Sequence, residues 1–230
     1  MNLSPLIAAL DVENAKEAQR LVDELSPYVD IFKVGHPLFM RYGYEVTDYI
    51  TGKGKKVFLD VKLHDIPNTV YLAVKAAREK GIFMLTLHAS GGRKMIEHAR
   101  KAKGEGFPLL LSVTVLTSMD EEQLKEVGIL KNPEEQVIHL AELAVSAGSD
   151  GIVCSPNEVK PLRERLKKDA IIVTPGIRPE ENGKKDDQKR TATPKKAIEM
   201  GADFIVVGRP LYKSAYPAQK AKQILESIEM

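Results

Sequence analysis

Lys56–Val61 reads KVFLDV, a short run of β-branched, aromatic and aliphatic residues that leads directly into a second lysine, Lys62. Apolar runs of this length are typical of strands buried in a parallel sheet. Seven further runs of similar character follow the same pattern along the chain. They are Leu6–Leu10, Ile31–Val34, Phe83–Leu87, Leu109–Val115, Gly151–Cys154, Ile171–Thr174 and Phe204–Val207.

The segments between these runs carry the apolar spacing of amphipathic helices, for example between Ala15 and Leu25 and between Val137 and Val145. Asn132-Pro133 and Ser155-Pro156 each place a capping side chain before proline and predict helix starts. Eight strand–helix units in 230 residues favour a closed (β/α)8 TIM barrel over an open sheet. Since no linker divides the chain, we predict an α/β fold with one domain over 1–230.

Composition argues against two classes of partner. The 34 basic and 32 acidic residues nearly balance, so the net charge of +2 predicts neither nucleic-acid binding nor membrane binding, and a small-molecule ligand is expected. The single cysteine, Cys154, lies in an apolar run and is interpreted as a buried thiol in a reducing compartment. With no basic leader and no apolar stretch of bilayer length, the sequence predicts a cytoplasmic protein.

Charged residues occur where the first three predicted strands end. Alternation with a period of two puts Asp60 and Lys62 on one face of the third strand, and likewise points Lys33 and Asp11 inward on the second and first strands. Asp65 follows just past the third strand. Active sites of such barrels lie at the carboxyl ends of the strands, and buried ion pairs add little net stability. A catalytic cluster is therefore favoured over a structural salt-bridge network.

A phosphate site is predicted at the same mouth. Gly208 and Arg209 follow the eighth strand, and the loops after strands seven and eight often bind phosphate in this architecture. The polar segment 178–190 after strand seven is interpreted as a lid, from which Arg178 and Gln188 close over phosphate and base. His88 ends the fourth strand, where a hydrogen-bonding role in support of the site is favoured over a role as a base. No zinc, dinucleotide or Walker motif is readable, so neither metal nor cofactor is predicted.

The segment Asp60–Thr69, DVKLHDIPNT, closely resembles the signature of the orotidine 5'-monophosphate decarboxylase family. The resemblance extends to six further motifs distributed along the chain. They are Ala8–Asp11, Phe32–Gly35, Val115–Ser118, Thr174–Arg178, Asp186–Gln188 and Val207–Pro210.

The resemblance implies a carbon–carbon lyase that converts orotidine 5'-monophosphate to uridine 5'-monophosphate in de novo pyrimidine biosynthesis. It implies that Lys62 is the proton donor, in a catalytic network with Lys33, Asp60 and Asp65. It further implies a homodimer in which Asp65 and Thr69 complete the neighbouring subunit's site. The residues implied to bind substrate are Asp11, Lys33, Asp60, Ile66, Thr69, Thr117, Arg178, Gln188, Gly208 and Arg209.

Two other functions remain open on the sequence. Metal-dependent sugar-phosphate decarboxylases and hexulose-phosphate synthases share the Asp-x-Lys-x-x-Asp pattern, but use an acidic metal ligand on the second strand, where this chain has Lys33. Resistance of the activity to a chelator separates the two. A non-catalytic sensor of phosphoribosyl ligands would need the phosphate site without the Lys62 cluster, and would bind nucleotide without turnover.

Overall fold

The computed structural model describes residues 3–166, 168–179 and 191–229. In this part of the chain, eight parallel strands form a closed barrel in sequence order, with β8 pairing back onto β1. The predicted (β/α)8 barrel is confirmed. The strands are β1 Leu6–Ala9, β2 Ile31–Gly35, β3 Lys56–Leu63, β4 Met84–His88, β5 Leu109–Val113, β6 Gly151–Val153, β7 Ile171–Thr174 and β8 Phe204–Val207.

Helices connect successive strands and surround the barrel. Two short 3₁₀ turns, Ala89–Gly91 and Pro156–Glu158, precede two of them. The helices are α1 Ala15–Leu25, α2 His36–Tyr42, α3 Glu45–Gly52, α4 Pro67–Glu79, α5 Gly92–Lys103, α6 Glu121–Glu126, α7 Pro133–Ser146, α8 Val159–Arg165, α9 Pro194–Glu199, α10 Arg209–Tyr212 and α11 Pro217–Glu229.

A helical element begins at each of the two predicted proline-linked starts, but only one of them has a side-chain cap. At α7 the Asn132 side chain accepts from the backbone N–H of Glu135, whose carboxylate accepts from the N–H of Asn132, which forms a capping box. The predicted start at Ser155-Pro156 is also present, with Ser155 in the N-cap position and Pro156 as the first residue of the element, but the side chain makes no capping bond and its hydroxyl donates to the Glu158 carboxylate. A 3₁₀ turn lies there, and α8 begins after it.

Two apolar clusters follow from the alternation of side chains along the strands. The smaller cluster fills the barrel interior. Its buried members come from seven of the strands and from Phe83 just before β4, with Val153 of β6 packed against them. The larger cluster, which includes Val57 and Leu59 of β3, lies between the sheet and the helices. Phe58, between those two residues, belongs to the interior cluster. The cavity described below therefore opens above a packed interior.

Three aspartates, which we call the rim aspartates, lie at the amino-terminal end of the barrel immediately before β2, β6 and β8. They are Asp30, Asp150 and Asp203. Each carboxylate accepts a hydrogen bond from a backbone N–H on, or just before, the preceding strand. The donors are the N–H groups of Ser4, at 2.9 Å, and of Leu110 and Ile172, each at 2.7 Å.

Each rim aspartate also forms an ion pair. Asp30 pairs with Lys55 at 3.4 Å, Asp150 with Lys103, and Asp203 with Arg163. The side chain of Lys103 is only 4% exposed. A buried ammonium that lost its carboxylate would remain uncompensated, so Asp150 is the rim aspartate whose removal should destabilise the barrel most.

None of the helices in the described part of the chain combines the length and the apolar character that a bilayer-spanning helix requires. Cys154 is buried, as expected, at the carboxyl end of β6. The cytoplasmic location inferred from the sequence stays a prediction.

Candidate active site

The backbone of β3 is irregular where it reaches the mouth of the barrel. Leu59 pairs with Leu85 of β4 and Leu63 pairs with Leu87, so residues 60–62 of β3 lie opposite the single residue Thr86. This is a bulge of the kind that re-aims side chains beside functional sites. Within it Lys62 has a φ of 44°, in the left-handed region, and is the one residue other than glycine with positive φ among those described.

A line of alternating charges crosses the mouth from β1 to β3. The ammonium of Lys33 lies 3.1 Å from Oδ1 of Asp11 and 3.5 Å from Oδ2 of Asp60. The other oxygen of Asp60 lies 2.8 Å from the ammonium of Lys62. Because Asp60 is shared by both lysines, its two oxygens fix the spacing between the two ammonium groups.

Burial and charge act in opposite directions on the central pair. Burial alone would raise the pKa of Asp60, but Lys33, Lys62 and hydrogen bonds from Lys62 and Thr86 outweigh it and hold that pKa below its usual value. Burial would likewise lower the pKa of Lys33, yet Asp60 and Asp11 together raise it. Asp60 is therefore an anion and Lys33 a cation at neutral pH.

Thr86 joins the backbone of the bulge to this line of charges. Its hydroxyl oxygen accepts from the backbone N–H of Lys62 at 2.8 Å, and its O–H donates to Oδ1 of Asp60 at 3.0 Å. The residue is 1% exposed. A threonine in an apolar strand is common, so the sequence pattern alone did not single it out.

The charged line forms one side of a cavity of about 220 Å³ at the carboxyl ends of the strands. Asp11, Lys33, Asp60 and Lys62 all line it. An apolar wall faces the cavity from β5 and β6, formed by Val113, Val115, Leu116, Val153 and Cys154.

Residues after strands β5, β7 and β8 complete the lining. Among the residues predicted to bind substrate, the structure places Thr117, Arg178, Gly208 and Arg209 here. A Cβ on Gly208 would lie 3.2 Å from Oδ2 of Asp11, so a larger residue would crowd this corner. The described lining residues thus include four cationic and two anionic side chains, which favours an anionic ligand.

Three predicted residues lie outside the cavity of their own chain. Asp65, Ile66 and Thr69 are exposed at the start of α4, and Oδ1 of Asp65 accepts from the N–H of Ile66 at 2.6 Å. The network within one chain therefore contains Lys33, Asp60 and Lys62, and Asp65 is not seen to join it. Gln188 and most of the lid predicted at 178–190 lie outside the described residues.

The segments on either side of that gap are joined. Ile177 and Ala192 form a parallel bridge, and the N–H of Arg178 donates to the carbonyl of Ala192 at 2.9 Å. This fixes the backbone at Arg178 beside the cavity.

His88 lies beside the charged line and does not line the cavity. Its ring centroid is 5.3 Å from that of His64. Burial lowers the pKa of His88, and electrostatic interactions with His64 and Lys62 lower it further, so the imidazole is neutral at neutral pH. Among the described residues no group of three or more potential metal-ligating side chains is placed to hold a metal ion.

The barrel, the cavity at the carboxyl ends of its strands and the lysine–carboxylate line together define a (β/α)8-barrel enzyme. Residues 4–224 match the model of the orotidine 5'-phosphate decarboxylase / HUMPS family. The chain belongs to this family, and it is a carbon–carbon lyase.

Named relatives share most of their length with the chain. It is 47% identical to the orotidine 5'-phosphate decarboxylase of Mannheimia succiniciproducens, with 97% of this chain and 96% of the relative covered. The corresponding protein of Tolumonas auensis is 46% identical over 97% of each chain. The crystal structure of orotidine 5'-phosphate decarboxylase from Lactobacillus acidophilus superposes with a TM-score of 0.87 at 40% identity, covering 99% of this chain and all of that one.

Proposed function

We propose that the chain decarboxylates orotidine 5'-monophosphate to uridine 5'-monophosphate in de novo pyrimidine biosynthesis, with Lys62 as the proton donor. The observation that carries the proposal is the Lys33–Asp60–Lys62 arrangement in the wall of a cavity that Arg178 and Arg209 also line. The names of the relatives support the substrate. A cavity lined by these two lysines and two arginines suits a ligand with more than one anionic group.

The proposed reaction needs a fixed cation at the reacting carbon. When the bond from C6 to the carboxylate breaks, carbon dioxide leaves and the electron pair stays on C6, in the plane of the ring and outside its π system. Since the ring offers no electron sink, an ammonium group beside C6 has to stabilise the negative charge. Lys62 then donates a proton to C6, which forms the C–H bond of the product.

Asp60 has two roles in this proposal. Its Oδ1, 2.8 Å from Nζ, orients the Lys62 ammonium, and its shared position fixes Lys33 as well. A buried carboxylate close to the departing carboxylate would also disfavour the bound substrate relative to the transition state. Reactions this slow without a catalyst require a barrier reduction of about 20 kcal/mol, near the upper part of the enzymatic range.

The remaining lining residues would bind the parts of the substrate that do not react. Asp11 and Lys33 suit the ribose hydroxyls, and Thr117 suits the pyrimidine. Arg178, Gln188, Gly208 and Arg209 suit the base edge and the phosphate, because arginine and backbone N–H groups bind phosphate oxygens strongly. Binding energy from the phosphate would favour closure over C6.

The test is the loss of orotidine 5'-monophosphate absorbance in excess EDTA, with wild type compared with Lys62→Ala. Rapid chelator-insensitive turnover that collapses in the variant is the expected result. No turnover by folded wild type would overturn the proposal. Activity on sugar phosphates that appears only with added Mg²⁺ would instead indicate the metal-dependent branch of the family.

We also propose a homodimer in which Asp65, Ile66 and Thr69 of each subunit complete the neighbour's site. These residues are exposed at the mouth of the barrel, and Ile66 and Leu72 present large apolar side chains there that are 66% and 56% exposed. Exposed apolar groups beside a site are typical of interfaces. A carboxylate from the neighbour would then give Lys62 a second anionic partner.

Mixing two inactive variants tests this arrangement. Lys62→Ala and Asp65→Ala are each expected to be inactive, but a mixed dimer contains one site with both residues intact. Random exchange of subunits in a twofold dimer should therefore restore about one quarter of wild-type activity. Mixtures that exchange subunits, shown by mass spectrometry, and stay inactive would contradict a shared site.

A further inference from the structure

The geometry points to Thr86 as the positioning residue that holds Lys62 and Asp60 in their reactive arrangement. This inference rests on the proposed function for its kinetic consequence, but its structural basis is independent of the substrate. Thr86 lies on β4 and does not line the cavity, so its effect would pass entirely through the two charged residues that do.

The hydroxyl of Thr86 closes a small ring of contacts. It accepts from the backbone N–H of Lys62 at 2.8 Å and donates to Oδ1 of Asp60 at 3.0 Å. The same Oδ1 accepts from the side chain of Lys62 at 2.8 Å. One hydroxyl therefore links both the backbone and, through Asp60, the ammonium group of Lys62.

The backbone contact lies where the chain is strained. Lys62 has a φ of 44°, which disfavours a residue with a Cβ, and the bulge breaks the regular ladder between β3 and β4. The Lys62 N–H has Thr86 as its acceptor in place of a β4 carbonyl. Without that acceptor, a partly buried N–H would lack a partner and the bulge would lose a bond that stabilises its conformation.

The contact to Asp60 fixes the carboxylate itself. Asp60 binds a lysine at each oxygen, and rotation of the carboxylate about its own bond would disturb both ion pairs. The hydrogen bond from the Thr86 hydroxyl holds Oδ1 of Asp60 in place relative to the neighbouring strand β4. Since the residue is 1% exposed, water does not readily replace the hydroxyl.

Thr86→Val is the variant that removes both bonds and keeps the shape of the side chain. We expect a drop in kcat of about 10- to 100-fold with KM changed less than about threefold, because displacement of a catalytic group by about 1 Å can reduce rates to this extent while contacts to the rest of the substrate persist. Thr86→Ser keeps a hydroxyl and is expected to recover kcat to within about threefold of wild type.

Thr47→Val is the matched control. Thr47 is also a buried threonine, and its hydroxyl donates to the carbonyl of Tyr44 at 2.9 Å in α3, away from the cavity. The Thr47→Val variant should lose about as much stability as Thr86→Val but keep the kcat of wild type. If Thr86→Val does not fold, Thr86→Ala is measured against Thr86→Ser in the same way.

Crystal structures of the Thr86 variants provide a readout that does not need turnover. In the valine variant we expect a lengthened contact between Lys62 and Asp60 and a changed φ at Lys62, and in the serine variant neither change. A valine variant with wild-type kcat and unchanged geometry would overturn the inference, as would a serine variant as slow as valine. If wild type itself does not decarboxylate the nucleotide, the proposed function fails, and the crystal structures alone still decide the role of Thr86.

Discussion

The ammonium of Lys62 lies 2.8 Å from Oδ1 of Asp60, and the backbone that delivers it has a φ of 44°. The proposed proton donor is therefore placed by a conformation that is unfavourable for any residue with a Cβ. Strain of this kind is maintained only where surrounding contacts hold it.

This strain predicts an unusual order of stability for two variants. Lys62→Gly should be more stable than Lys62→Ala by roughly 0.5–1 kcal/mol, since relief of left-handed strain exceeds the entropic cost of glycine. Urea unfolding of the two proteins gives the difference. Lys56 begins the same strand without a positive φ, so Lys56→Gly should be less stable than Lys56→Ala. The same order at both positions would contradict the strain.

Arg209 should act on substrates only through the phosphate. Arg209→Ala is expected to raise KM for orotidine 5'-monophosphate about 10- to 100-fold, because a charge-assisted hydrogen bond contributes roughly 1.5–3 kcal/mol. With orotidine, which has no phosphate, kcat/KM should be the same in variant and wild type. Steady-state kinetics with both compounds measure this, and Arg20→Ala on the exposed face of α1 is the control. An equal loss with both compounds would place Arg209 elsewhere in the site.

Asp150 should matter for stability and not for catalysis. Asp150→Ala leaves the buried ammonium of Lys103 unpaired and the N–H of Leu110 without its acceptor, so a loss of about 3 kcal/mol is expected. Glu121→Ala, which breaks an exposed pair with Lys125 on α6, should cost less than about 0.5 kcal/mol. Denaturant unfolding measures both, and kcat per folded protein should be unchanged in each. A loss of kcat in Asp150→Ala would contradict this separation.

The lowered pKa of His88 should make the free energy of unfolding depend on pH. Burial first, and then electrostatic interactions with His64, Lys62 and His36, lower its pKa in the folded protein, while Asp60 acts in the opposite direction. The unfolded chain, with a histidine pKa of 6.5, therefore binds the proton at a higher pH than the folded protein does. Stability from this group is complete above pH 6.5 and is lost as the pH falls from there through the lower folded value.

The measurement is the free energy of unfolding of wild type and His88→Asn between pH 5 and pH 7.5. Wild type should lose more stability than the variant as the pH falls across this range. Parallel curves for the two proteins would show that His88 does not titrate differently in the folded and unfolded states.

The fold was largely predictable because its signals are local. Each strand begins at its predicted residue or one residue later, since an apolar run with β-branched residues specifies a buried strand by itself. The start predicted at Ser155-Pro156 is present as a 3₁₀ turn, but the predicted cap is not, because the Ser155 hydroxyl donates to the Glu158 carboxylate three residues on.

The site was only partly predictable from the alternation of strands. Alternation placed Asp60 and Lys62 toward one mouth, and both do line one cavity, but Lys62 reaches it through a bulge that simple alternation does not contain. The role of Thr86 depends on the pairing of β4 with β3, which brings Thr86 to Asp60, 26 residues earlier in the chain. No local sequence pattern encodes this contact. Asp65, in turn, lies outside the cavity of its own chain.

The rim aspartates and residues that line the cavity occupy opposite ends of the same short strands. β6, for example, has Asp150 immediately before it and presents Val153 to the cavity at its other end. One strand thus carries a residue that stabilises the barrel at one end and a residue that would contact the ligand at the other. The two residues can be substituted separately. Substitutions at the cavity end of a strand could therefore change the ligand or the reaction while the contacts at the other end preserve the barrel. Each strand could evolve a new function in this way without loss of the fold.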